Sequence, residues 1–206
     1  MINKFLDIWK KYDMGFYASV LSLLIMGTFH LVMTCISFSW LTFNYMLFCY
    51  VLMFARTSIF YLSKKNKESK VYLIGSLFLL VVLIPLGVSF IKTITDRELK
   101  PYIFDWIIYG YAAYAFYKLI AGIINLVKSR RNSATKNVLC WFGLINAFFT
   151  MFMLEFTLIR TFSEDVNTSL LIIEYCFQAY ILLLTMTMIG VFLFRHFKIN
   201  LNKLKT

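Results

Sequence analysis

Six long runs of apolar residues constrain this chain more than any other feature of its sequence. Each run is about 20 or more residues long, the length that an α-helix needs to cross the hydrocarbon core of a bilayer. The pattern predicts an all-α polytopic membrane helix bundle of about six transmembrane helices, forming a single integral membrane domain over residues 1–206. The predicted spans are 15–36, 40–62, 71–92, 102–127, 138–160 and 169–193.

The composition supports lipid as the solvent for much of the chain. Hydrophobic residues make up 61% of the sequence and charged residues only 15%. A soluble domain is usually about 45–50% apolar and about 25% charged. The apolar excess is too large for one globular core. The first run, from Met14 to about Ile36, is also longer than the apolar part of a signal peptide. We therefore expect it to be an uncleaved first helix.

The connection between the first two runs contains very few polar residues. Only Ser37 to Trp40 interrupt the apolar sequence there. One unbroken helix from residue 14 to residue 54 would be about 60 Å long, roughly twice the thickness of the hydrocarbon core. The sequence therefore predicts a tight turn at residues 37–40.

The net charge of +11 is distributed unevenly between the connections. An excess of Lys and Arg in short loops marks the cytoplasmic side of a membrane. The pattern predicts a protein of the cell (cytoplasmic) membrane with both termini in the cytoplasm, where its basic residues meet anionic lipid headgroups. No segment resembles a nucleic-acid-binding element, so we expect no nucleic acid as a partner. The basic residues of this side include Lys4, Lys10, Lys11, Lys64, Lys65, Lys67, Lys70, Lys128, Arg130, Arg131, Lys136, Arg195, Lys198, Lys203 and Lys205.

Polar and ionisable residues inside the predicted spans are the candidates for a functional site, because such residues are costly in a membrane. Glu174, Gln178 and Thr185 are spaced to share one face of the sixth helix, which should point into the bundle. A pairing of Lys118 with Glu174 or Glu155 would neutralise both charges. We therefore predict a polar cavity between the fourth, fifth and sixth helices. The candidate site residues are Glu174, Lys118, Gln178, Glu155, His30 and Arg56.

Two further helices carry polar faces, and each candidate also has a structural interpretation. Arg56 could extend toward the cytoplasmic surface, and His30 could be a packing residue. Glu155 could be solvated near the membrane surface. Glu174 and Lys118 could form a purely structural polar lock between helices. The aligned residues are Ser19, His30, Thr34 and Ser37 in the first helix, and Tyr111, Tyr114, Lys118, Gly122 and Asn125 in the fourth.

Catalytic and metal-binding motifs are absent from the sequence. There is no GxSxG nucleophile turn, no HExxH metal helix and no P-loop. The four cysteines have no metal-ligand spacing and lie in or beside apolar runs, where cysteine behaves as a small hydrophobic residue. We expect no catalytic residue, no cofactor and no metal, and an enzyme is disfavoured.

One segment carries a resemblance to known proteins. The stretch YAFYKLIAGIINLVKSR, from Tyr114 to Arg130, resembles a group of small, uncharacterised multi-pass membrane proteins from low-GC Gram-positive bacteria. The segments around Ala55-Arg56 and Lys70 to Gly75 are similar to the same group, so the resemblance covers the middle half of the chain. It implies a bacterial cytoplasmic membrane. No activity is assigned to that group, so the resemblance implies no role for any residue.

Three functions fit these observations. The leading interpretation is a permease-like or transport-associated protein with a polar intramembrane cavity. The alternative is a non-transporting partner subunit or sensor, in which the buried polar residues are structural. The third is a membrane enzyme that acts on a lipid. Possible partners are a second copy of the chain, or a partner membrane or ATPase subunit that would supply energy in the absence of a P-loop.

Overall fold

The computed structural model describes residues 14–37, 39–64, 68–95, 105–129, 134–162 and 168–204, and within these ranges every residue except Ser39 is α-helical. All six helices are long and apolar enough to cross a membrane. The predicted all-α bundle of six helices is confirmed, and the chain is a multi-pass membrane protein. The helices are α1 (Met14–Ser37), α2 (Trp40–Lys64), α3 (Glu68–Thr95), α4 (Asp105–Ser129), α5 (Ala134–Phe162) and α6 (Thr168–Leu204).

The helix ends agree with the predicted spans at most positions, and α6 is the exception. It has 37 residues and continues to Leu204, well past the predicted end at residue 193. At 1.5 Å per residue it is about 55 Å long, so it exceeds the hydrocarbon core. The predicted span ends where the apolar run ends, whereas the helix continues beyond it. Residues 194–204 contain neither Gly nor Pro to end the helix. The predicted start of the fourth span, at residues 102–104, lies outside the described residues.

The turn between α1 and α2 lies where the sequence predicted it. Ser39 separates the two helices, and its carbonyl oxygen accepts bonds from the Phe43 amide at 3.1 Å and the Thr42 hydroxyl at 2.8 Å. The hydroxyl oxygens of Thr34 and Thr42 lie 3.1 Å apart beside the turn. These contacts begin α2 immediately after the turn, because the Ser39 carbonyl accepts its first helical bond.

Helix α5 occupies the centre of the bundle. It packs against α2, α3, α4 and α6, and it is the most buried of the six helices. Its buried aromatic side chains fill the space between these neighbours. The fully buried aromatic residues of α5 are Phe142, Phe149, Phe152 and Phe156.

The remaining contacts divide the bundle into two groups of four helices that share α2 and α5. The first group contains α2, α3, α5 and α6, in which α3 packs against each of the other three. In the second group, α1 packs on α2 and α4 packs on α5. Among the described residues, no Cα atom of α1 lies within 8 Å of one in α4. Side chains bridge this wider gap, as between Ser22 and Tyr114.

A glycine allows the close packing in the first group. A Cβ atom at Gly75 of α3 would lie 2.9 Å from Cγ1 of Val138 in α5 and 3.4 Å from the Phe192 ring of α6. Small residues at such positions bring membrane helices into van der Waals contact. Gly75 therefore fixes the place where three helices meet.

Candidate intramembrane polar site

The polar face of α6 points into the bundle, as its spacing predicted. Glu174, Gln178 and Thr185 are 0%, 4% and 0% exposed. The Gln178 side-chain amide donates to the Thr93 hydroxyl of α3 at 3.1 Å. The Thr93 hydroxyl in turn donates to the carbonyl oxygen of Ser89 at 2.9 Å. This face of α6 is therefore joined to α3 by side-chain hydrogen bonds.

The two bases, Arg56 of α2 and Lys118 of α4, lie in the other group of helices and close to each other. The Arg56 guanidinium is buried, its Nη1 donates to the Ser19 hydroxyl of α1, and its Nη2 approaches Gly143 of α5. The Lys118 ammonium lies 5.0 Å from the centre of the Tyr114 ring and interacts electrostatically with the Arg56 charge. Arg56 therefore lies inside the bundle rather than exposed at the end of its helix.

The surroundings of the two bases are polar but not acidic. The Tyr114 hydroxyl forms a hydrogen bond with the Ser22 hydroxyl of α1 at 3.0 Å. Cys140 and Tyr114 are the electrostatic partners of Arg56. Within the part of the chain that the structure describes, no carboxylate interacts with either Arg56 or Lys118. The region thus holds two positive charges beside hydroxyl groups.

His30 lies further along α1 and is completely buried. Its ring lies 4.3 Å from the ring centre of Tyr45 in α2 and 6.2 Å from that of Tyr111 in α4. Both His30 ring nitrogens lack a hydrogen-bond partner among the described residues, whereas the Tyr111 hydroxyl interacts with the Tyr45 side chain. A buried polar atom without a partner is costly, so this region is suited to hold water or a polar ligand.

The Tyr45 hydroxyl links this region to the central helix. It lies 2.7 Å from the hydroxyl of Thr150 in α5. The Thr150 hydroxyl donates its single hydrogen to the Asn146 carbonyl at 2.7 Å, so Tyr45 is the donor to Thr150. Cys49, one turn further along α2, interacts with both Tyr45 and Lys118.

These side chains form a continuous set, which we call the polar column. On α1 it extends from Ser19 to His30, about 16 Å along the helix and roughly half of the hydrocarbon core. The Tyr111 and Tyr114 rings, 6.5 Å apart, connect the His30 region to the two bases. The polar column consists of Ser19, Ser22, His30, Tyr45, Cys49, Arg56, Tyr111, Tyr114, Lys118 and Thr150.

The six candidate residues therefore fall into separate regions. His30, Arg56 and Lys118 belong to the polar column, whereas Glu174 and Gln178 face α3. Glu155 is half-buried on α5. It lies 12 residues from Gly143, which is about 18 Å along the helix axis, and the Arg56 guanidinium lies beside Gly143.

The predicted cavity between the fourth, fifth and sixth helices does not match the packing. Helices α4 and α6 both contact α5, but no described Cα of α4 lies within 8 Å of one in α6. The Lys118 ammonium lies over Tyr114 and near Arg56, and Glu174 lies on the far helix. Both helices pack on α5, and the polar column lies between α1, α2, α4 and α5 instead.

Sequence reasoning missed several members of the polar column. Tyr45 and Thr150 were not identified, and Cys49 was assigned to ordinary packing. Tyr45 is one of 13 tyrosines in the chain, and its spacing alone does not separate it from the others. On α4, the predicted face holds from Tyr111 to Gly122, but Asn125 is exposed.

A shallow cavity of about 200 Å³ opens beside the α1–α2 turn. It is lined by Thr34, Ser39, Trp40 and Phe43, and its walls are almost entirely apolar. Thr34 lies one helical turn from His30 and donates to the His30 carbonyl at 2.7 Å. This depression therefore lies next to the end of the polar column at which His30 is buried.

The described residues contain no group of three or more His, Cys, Asp or Glu side chains that could hold a metal ion. Comparison with known proteins found no matching family model, no matching curated protein and no matching solved structure.

Proposed function

We propose that this multi-pass membrane protein is permease-like or transport-associated, and that the polar column is part of the path of a small polar solute. The observation that carries this proposal is the set of buried polar atoms that have no hydrogen-bond partner among the described residues: both ring nitrogens of His30 and Nε of Arg56. A closed structural lock would satisfy such atoms, because each unsatisfied group in a bilayer is costly. Water or a solute in the polar column would supply the missing partners.

The location and partners of the protein complete the proposal. We place it in the cytoplasmic membrane of a bacterium with both termini inside, on the basis of the basic connections and the resemblance of residues 114–130. In this orientation the Arg56 end of the polar column is nearer the cytoplasm, and the cavity beside Trp40 opens outward. Anionic headgroups at the cytoplasmic face and either a second copy or an ATPase subunit are the proposed partners.

A specific observation also favours the alternative of a non-transporting subunit or sensor. The Gln178–Thr93 and Tyr45–Thr150 hydrogen bonds join pairs of helices, as a structural polar lock would. The two functions differ in whether water reaches the polar column. The unsatisfied atoms around His30 lead us to prefer the permease-like function.

Water access can be measured with cysteines placed in the polar column. The experiment replaces the four native cysteines with alanine and introduces Ser22→Cys, with Leu21→Cys as a control on the same helix. Ser22 belongs to the polar column, whereas Leu21 is exposed on the outer face of α1. Membranes are treated with a charged, membrane-impermeant thiol reagent, which needs a hydrated thiolate.

We expect the cysteine at position 22 to react at least about tenfold faster than the cysteine at position 21, because thiolates form in water and not in lipid. Equal, negligible reaction at both positions would show a dry polar column and favour the structural lock. Correct insertion of each variant is checked by its monodisperse elution in mild detergent.

A further inference from the structure

Arg56 and Lys118 form a site whose charge is not balanced by any residue that the structure describes. The two cations interact electrostatically, and among the described residues no carboxylate interacts with either of them. Of the acidic residues in the interiors of the helices, Glu155 is about 18 Å along α5 from Gly143, and Glu174 is on α6, away from α4. A buried charge without a partner is strongly unfavourable. An anion bound between the two would remove this cost.

The donors around the site match the chemistry of a phosphate group. Arg56 is only 8% exposed, and its Nε has no hydrogen-bond acceptor within the described residues. A guanidinium presents several donors in one plane, which suits the oxygens of a phosphate. The Lys118 ammonium adds a point charge, and the Ser19 hydroxyl lies beside the guanidinium. Two positive charges exceed what one carboxylate would balance, which favours a phosphate.

We propose that Arg56 and Lys118 bind a phosphate group in the polar column between α1, α2 and α4. The phosphate proposal adds the class of ligand to the proposed function. It rests on that function only for the route by which the ligand crosses the membrane. The phosphate has two sources: the headgroup of an anionic phospholipid or free inorganic phosphate. The gap between the α1 and α4 backbones lies beside the partly exposed Lys118, where a ligand can enter.

Thermal stability of the purified full chain tests the proposal. The protein is prepared in a phosphate-free maltoside detergent and titrated in separate arms with inorganic phosphate and with phosphatidylglycerol. Sodium chloride at matched ionic strength controls the first arm, and phosphatidylcholine controls the second. The variants are Lys118→Met and, as a matched loss of one positive charge, Lys92→Met, whose ammonium lies near Trp40 at the far end of the bundle.

We expect phosphate or phosphatidylglycerol to raise the melting temperature of the wild type and of Lys92→Met. The rise should exceed that caused by the matching control, sodium chloride for phosphate and phosphatidylcholine for phosphatidylglycerol. The apparent dissociation constant should rise about tenfold or more in Lys118→Met, as expected for the loss of a bond to a charged group. A response to phosphate identifies a free anion, and one to phosphatidylglycerol identifies a lipid. Equal responses in the wild type and Lys118→Met, or no response above the controls, would overturn the proposal.

A second variant retains both cations and so addresses misfolding. Gly143→Ala would place a methyl group about 3.3 Å from Nη2 of Arg56, so the guanidinium must shift by a few tenths of an ångström. This variant should bind the same ligand more weakly, and an unchanged affinity would count against the site. The labelling of Ser22→Cys is independent of this test. A hydrated polar column without anion binding contradicts only the phosphate site, and a dry polar column with anion binding contradicts only the permease-like function.

Discussion

At the scale of single residues, the direction of one hydrogen bond follows from the chemistry of a hydroxyl group. Thr150 has one hydrogen, which it donates to the Asn146 carbonyl, so it can only accept from Tyr45. The bond connects α2 to α5 within the polar column. Hydrogen bonds between membrane helices contribute about 0.6 kcal/mol on average and at most about 1.7 kcal/mol. This contact should therefore be measurable but small.

We predict that Tyr45→Phe and Thr150→Val each lower stability, and that their effects are not additive. The double-mutant coupling should be about 0.6–1.7 kcal/mol, because both changes remove the same bond. Unfolding in mixed detergent measures these free energies. Tyr117→Phe, on the exposed face of α4, is the matched control and should be neutral. Strictly additive effects at positions 45 and 150 would mean that the hydroxyl groups do not interact.

The bond between Gln178 and Thr93 gives a similar test on the other side of the bundle. Thr93→Val removes the acceptor of the Gln178 amide and should destabilise the protein by about 0.5–2 kcal/mol. Thr187→Val serves as its control, because Thr187 is exposed and its hydroxyl bonds, among the described residues, to the Leu183 carbonyl of its own helix. Thermal melting in detergent should separate the two variants. If both lose the same stability, the contact between α3 and α6 contributes nothing beyond the intrahelical bond.

At the scale of the elements, close packing at one glycine decides how three helices meet. Gly75 has Val138 of α5 and Phe192 of α6 within contact distance of its missing side chain. Val138 is completely buried and β-branched, so it cannot rotate away easily. The packing of α3 against both neighbours therefore depends on the absence of a single methyl group.

We predict that Gly75→Ala destabilises the bundle by about 1–3 kcal/mol through overpacking. Gly87→Ala is the control on the same helix, because nothing lies within 4 Å of its added Cβ atom. It should be neutral or slightly stabilising, since alanine restricts the unfolded chain. Melting temperatures in one detergent provide the comparison. A stable Gly75→Ala protein would show that α3 can shift away from α5 without cost.

The individual elements were largely predictable from the sequence. Apolar runs of bilayer length gave all six helices, and the turn at Ser39 followed from the excessive length of a single helix. The face carrying Glu174, Gln178 and Thr185 was also predictable, because spacing along one helix fixes direction around its axis. The end of α6 was not, because hydropathy reports the bilayer boundary and not the helix end.

At the scale of the whole molecule, α5 separates two regions of different character. One side is a closely packed group of α2, α3, α5 and α6, and the other contains the polar column. Helices α1 and α4 contact each other only through side chains in the described residues. Each of these two helices is held by a different neighbour, α1 by α2 and α4 by α5.

Orientation in the membrane gives a prediction for the whole molecule. Cys35, exposed near the turn, should react in intact cells with a membrane-impermeant maleimide. A cysteine introduced by Lys198→Cys, exposed on α6 at the opposite end, should react only after the cells are permeabilised. Each is measured in a background without the other native cysteines. The reverse labelling pattern would contradict the proposed cytoplasmic location of both termini.

The sequence by itself determined the number of helices, their approximate limits and the buried face of α6. Those properties depend on local length and spacing, because every backbone polar group in lipid must be satisfied within its own helix. Only the tertiary structure decided which polar residues meet. Apolar helix surfaces do not select their partners within lipid. Which helices pack against each other therefore depends on the shapes of residues such as Gly75 and Phe149. That packing brought Lys118 to Arg56 rather than to Glu174.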